Sequence, residues 1–201
     1  MNKQEQKSEH EKKLHLAVGS FVVNYEHLAL RLRLYLLGMF PEREKYGYLG
    51  RLFVQDLGFD QMVQRIRQIC EYHLAGKPDH KDLLEVELLI LETCSAINSK
   101  RNHIVHGAWM VNYRTLFGEP EPDEPQTAVM RKAHDLKGDF AFWVYSVEDI
   151  NKLTGLTKRL INHFNHVFLP DNPRKEFTVN DDDIKEIKAG IQRISGKPQA
   201  S

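Results

Sequence analysis

Apolar residues recur at spacings of four and three across residues 14–39: Leu14, Val18, Phe21, Tyr25, Leu28, Leu32, Tyr35 and Met39. A helix puts that series on one side, because 3.6 residues complete a turn. A seam this long makes a rod of about 39 Å at 1.5 Å per residue. A chain built around such a rod is a helical bundle, because the other elements must lie along the seam to cover it. Pro41 stops the helix. Leu30, Leu34 and Leu37 lie off the seam and give the helix a second apolar face. Such a helix is expected to pack against two neighbours, one of them in another subunit. Residues 1–13, rich in Lys, Glu and Gln, read as a flexible, solvated lead-in.

The remaining punctuation divides the chain. Leu49–Leu57 reads as a short helix among the breakers Gly47, Gly50 and Gly58. Asp60 is the expected N-cap of a helix carried by Met62, Val63, Ile66, Ile69, Cys70 and Leu74, ended by Gly76-Lys77-Pro78. A further helix starts near His80–Asp82 and shows two apolar stripes, one through Leu83, Val86, Ile90, Cys94 and Ile97, the other through Leu84, Leu88 and Leu91. Gly107 stands where a C-cap glycine would. Ala108–Phe117, Gln126–Arg131 and Asp139–Tyr145 read as strands, separated by the Pro- and acid-rich loop Glu119–Pro125. Ser146, with Asp149 three residues on, begins a last long helix through Ile150, Leu153, Leu156, Leu160, Phe164 and Val167. After Pro170-Asp171-Asn172-Pro173, Ile184, Ile187, Ile191 and Ile194 mark a short terminal helix.

The expected fold is therefore mainly α: a helical bundle with a small antiparallel β-hairpin or three-stranded insertion at about 108–145, before the last long helix. One domain covers 14–168, and 169–201 form a tail. Across 201 residues, 28 Lys+Arg balance 28 Asp+Glu, which excludes a broadly basic polyanion binder and permits a local anion site. Cys70 and Cys94 sit in apolar helical patterns and read as buried free thiols. With no secretory leader and no run of about 20 apolar residues, a cytoplasmic, non-membrane protein is expected.

The two apolar stripes of the third long helix turn polar at its end. One continues into Arg101 and Ile104, the other into Ser95, Asn98, Asn102 and His106. Two readings are open. Arg and His near a helix C-terminus are favoured by the macrodipole and need be nothing more than surface. The same pattern also makes a polar pocket, in which a buried Arg requires an anion, a carboxylate or water.

Residues 101–107 spell Arg-Asn-His-Ile-Val-His-Gly, which resembles the Arg-x(4–6)-His motif of HEPN-domain ribonucleases. The resemblance extends to the helical frame over about 14–168. It implies a helical bundle that dimerises to bring two motifs into one cleft, and a metal-independent endoribonuclease of a toxin–antitoxin or antiviral defence system. It makes Arg101 and His106 the catalytic pair and Asn102 their polar companion. Partners implied are a second copy, single-stranded or structured RNA, and an antitoxin or other defence-system protein. Some members of the family lack catalysis, so a non-catalytic module binding RNA, a nucleotide or a protein is the alternative. No cofactor is expected.

The chemistry is sound. RNA supplies its own nucleophile, the 2′-hydroxyl. Histidine can move its proton and arginine can hold the phosphate through a rigid donor fork. On a straight helix Arg101 and His106 point about 140° apart, so either the helix ends between them or a second subunit completes the site.

Glu26 and His103 are candidate supporting residues. Glu26, flanked by Val22 and Leu30, needs a basic partner and can hold Arg101 or orient His106. His103 and His106 have metal-ligand spacing, as do His163 and His166, but no acid lies between residues 93 and 118, and no metal is assigned. His163 and His166 read as solvated. Lys100 and Arg114 are candidate RNA contacts, in an acid-free stretch with Trp109 and Tyr113 interleaved.

Overall fold

A computed structural model describes residues 3–38, 44–74, 81–112, 114–115, 118, 127–132 and 140–167, without the side chains of 44–49, 130–142 and 166–167. The elements are α1 (Lys3–Gly38), α2 (Glu44–Gln55), α3 (Phe59–Leu74), α4 (Lys81–His106), β1 (Ala108–Val111), β2 (Thr127–Lys132), β3 (Phe140–Val144) and α5 (Val147–Val167). The expected mainly helical bundle with a small sheet before the last long helix is what forms. The terminal helix at Ile184–Ile194 lies outside the described residues.

The apolar seam of α1 is buried at Leu14, Phe21, Tyr25, Leu28, Leu32 and Tyr35. It lies chiefly along α5, whose Ile150, Leu153, Leu156, Leu160 and Phe164 are buried in turn. α3 lies along α4 and supplies Met62, Val63 and Ile66 against Ile90, Leu91, Cys94 and Ile97. Cys70 and Cys94 are buried thiols outside any disulfide, as expected. No helix among the described residues is long and apolar enough to cross a membrane.

Three local readings change. Residues 3–13 continue α1 as helix instead of forming a flexible lead-in. They are mostly exposed, but His10 Nε2 lies 2.7 Å from Thr127 Oγ1 of β2, so this end of the helix has an anchor on the sheet. The N-cap of α3 is Gly58, not Asp60: the Gly58 carbonyl accepts from Met62 N–H, and Gln61 Oε1 accepts from Gly58 N–H at 2.9 Å. That is the reach-back half of a capping box; Asp60 falls in the first turn, where the helix dipole favours it. Gly107 does not adopt a left-handed conformation, because the chain passes almost directly from α4 into β1.

The three strands pair antiparallel in the order β1-β2-β3, with Trp109 opposite Val129 and Val129 opposite Trp143. β1 is shorter than expected. Asn112 ends it with φ of 59°, a left-handed position that asparagine tolerates. The expected cap of α5 forms reciprocally: Ser146 N–H donates to Asp149 Oδ2 at 2.9 Å and Asp149 N–H to Ser146 Oγ at 3.0 Å.

Candidate functional site

The end of α4 faces α1 on one side and the sheet on the other. Arg101, His106 and Asn102 gather on the α1 side. Arg101 Nη1 lies 3.4 Å from His106 Nε2 and 3.4 Å from Asn102 Oδ1, while Nη2 donates to Glu26 Oε1 at 3.3 Å. The expected divergence of Arg101 and His106 within one chain is thus corrected. α4 runs unbroken through both, about 7.5 Å apart along its axis. The long Arg101 stem wraps around the last turn to reach the ring, so no second subunit is needed to bring them together. Arginine has no acceptor, so that contact requires the lone pair on Nε2 and the imidazole proton on Nδ1.

Beneath the guanidinium lies Tyr25, its ring 5.1 Å from Arg101 Cζ. Its hydroxyl donates to Asn98 Oδ1, a buried bond linking the two elements. Burial pushes the Tyr25 phenol well above the usual tyrosine range, against the opposing pull of Arg101, so it remains a neutral donor. Tyr25→Phe would leave Asn98 without that donor. The expected cost is about 1–3 kcal/mol of stability, read by urea denaturation, with a change below about 0.5 kcal/mol ruling out the bond.

The Glu26 carboxylate is 58% exposed and the Arg101 side chain 23%. Solvent screening limits such a pair to no more than about 1 kcal/mol. It is weak enough for a phosphate to displace.

His103 and Lys100 leave this group. The His103 ring packs at a tilt against Trp143 of β3, with ring centres 4.4 Å apart, so His103 and His106 contact different neighbours. Lys100 Nζ sits 5.8 Å from the centre of the Tyr145 ring, and burial lowers its pKa. The Tyr145 phenol is pushed up to about 12 by burial, reinforced by Asp149. Arg114 is exposed on the turn after β1. Trp109 donates its indole N–H to the Ile104 carbonyl at 2.8 Å, tying the sheet to the last turn of α4. Tyr113 lies outside the described residues.

His163 is also corrected. It is buried, 7% exposed, with Nε2 3.4 Å from the Glu87 carboxylate on α4. The helical period puts it next to Phe164 on the covered side of α5; a half-buried carboxylate across the interface makes a polar ring acceptable there. The side chain of His166 lies outside the described residues.

Sequence reasoning took Tyr25 for plain core and passed over Asn98 as one polar member of a stripe. The available signal was a buried-position asparagine, which requires a partner. Comparison with family models, with curated proteins and with solved structures returned no match.

Proposed function

We propose that this protein is a metal-independent endoribonuclease of the HEPN type, acting in the cytoplasm as a homodimeric toxin or antiphage-defence effector. The observation that carries this is the convergence of Arg101, His106, Asn102 and Glu26 at 3.3–3.4 Å on an accessible helix end. In this reading Arg101 releases Glu26 and grips the scissile phosphate. His106 Nε2 takes the proton of the 2′-hydroxyl; O2′ bonds to phosphorus; the bond to the 5′-oxygen breaks. A 2′,3′-cyclic phosphate and a 5′-hydroxyl result.

One imidazole cannot take and give a proton at once, so a second His106 from a facing copy is a natural donor to the leaving oxygen. Leu16, Val23, Leu30 and Leu34 support the homodimer. They are 75%, 56%, 48% and 37% exposed and share the side of α1 opposite the buried seam. Leu37, by contrast, packs partly against the core. A monomeric mass in solution would remove the composite site.

Single-stranded RNA incubated with the wild type in chelator should yield cyclic-phosphate ends, and intact RNA across a range of substrates would overturn the proposal. A non-catalytic RNA-binding module is the second reading, favoured by the ion pair that occupies Arg101. It expects binding without cleavage. Under either reading Glu26 competes with RNA phosphate. Glu26→Gln on a His106→Ala background should bind RNA up to about fivefold more tightly, measured by fluorescence anisotropy. Weaker binding would make Glu26 a support for Arg101 instead of a competitor.

A further inference from the structure

A cleft of about 380 Å³ opens beside Arg101, between α1, the start of α3 and the end of α4. It is at the lower end of the range for ligand clefts, about 300–1,000 Å³, and takes one small ligand. Its lining includes Tyr25, Arg33, Phe59, Asp60, Gln61 and Arg101, most of which the Arg101–His106 pair does not use.

Arg33 lies two turns beyond Glu26 on α1, about 10 Å along the axis. Its Nε is buried and has no hydrogen-bond partner among the described residues; the same holds for Nε of Arg101. Both guanidiniums line the cleft and carry the positive charge that an anion there would meet. The N-terminus of α3, which opens at this cleft, favours the same sign of charge.

The cleft also has a flat apolar surface. Phe59 is half-buried and stacks on Tyr25, with ring centres 4.9 Å apart and planes 23° from parallel. Beside it Asp60 and Gln61 are exposed. Gln61 Oε1 is engaged by Gly58 N–H, which leaves its amide NH₂ to donate and the Asp60 carboxylate to accept. Glu26 and Asp60 offset the two arginines, so the cleft has little net charge with which to hold a bare phosphate.

We propose that this cleft binds one nucleotide of a single strand, with Arg33 on its phosphate, Phe59 against its base, and Asp60 and Gln61 at the base edge. Its place next to the scissile phosphate rests on the ribonuclease reading; the binding itself does not. Stacking on an aromatic ring and a charge-assisted phosphate contact are the two ordinary sources of affinity for single strands.

Calorimetric titration with adenosine and guanosine monophosphates, the matching nucleosides and inorganic phosphate tests it. The monophosphate should bind at least about tenfold more tightly than phosphate or nucleoside alone. Arg33→Ala should lose about tenfold in nucleotide affinity. Phe59→Leu should weaken the nucleotide severalfold and leave phosphate unchanged. Thermal melts confirm folding, and Arg33→Gln serves where the alanine variant does not fold. Nucleotide binding no tighter than phosphate, or both variants within about twofold of wild type, overturns the proposal. If the wild type cuts no RNA, the catalytic reading fails while this titration keeps its meaning.

Discussion

Replacing His106 by alanine is expected to lower RNA cleavage by about 10²–10⁴-fold, the contribution of a positioned general base. The ring lies 3.4 Å from Arg101 on the last turn of α4, where His106 is exposed. Its removal therefore leaves the core intact, and the thermal melt should hardly move. Arg101→Ala should lose about 10²–10³-fold through the missing donor to the phosphate oxygens. Arg101→Lys should recover only part, because an ammonium keeps the charge but not the two-pronged donor fork. The measurement is single-turnover cleavage in chelator at saturating protein. Two folded alanine variants that cut as fast as wild type would end the assignment of both residues.

Phe164→Ala should destabilise the fold by about 3–5 kcal/mol, the usual cost of emptying a buried aromatic site. Phe164 is 1% exposed on α5 and meets Tyr35 of α1 edge-on, with ring centres 5.9 Å apart. The substitution removes that contact and leaves a cavity between the two longest-packed helices. Against a total stability of about 5–15 kcal/mol this is a large fraction. In a chain of this size each kcal/mol lowers Tm by about 2–4 °C. Tyr72→Ala, at a position 83% exposed, should change stability by no more than about 0.5 kcal/mol. Equal, small losses at both positions would mean that α1 and α5 are not packed as described.

Much of the fold was legible because it is local. The four–three spacing of α1, the Ser146–Asp149 cap, the alternation of the strands and the breakers between elements act over a few residues. Capping failed at Asp60 because Gly58 could take the cap position with Gln61 reaching back, a choice between two neighbouring hydrogen-bond patterns. The N-terminal eleven residues of α1 show no apolar seam. Their helix continues one already nucleated further along, and extension adds a bond per residue without the nucleation cost. Burial of His163 was missed because a polar residue beside Phe164 can face either way until its neighbour is known.

The sequence by itself determined that α4 ends in a polar surface carrying Arg101, Asn102 and His106, since helical period alone continues two apolar stripes into those positions. It could mark Glu26 only as a carboxylate in need of a base. Tertiary structure decided the rest: that Glu26, 75 residues away, meets Arg101, that Tyr25 lies beneath the guanidinium and bonds Asn98, and that Arg33 and Phe59 share a cleft with them. Periodicity states which face of a helix must be covered. Which helix covers it, and which polar groups then face each other, depends on closing long loops around a common core, and that information is spread over the whole chain.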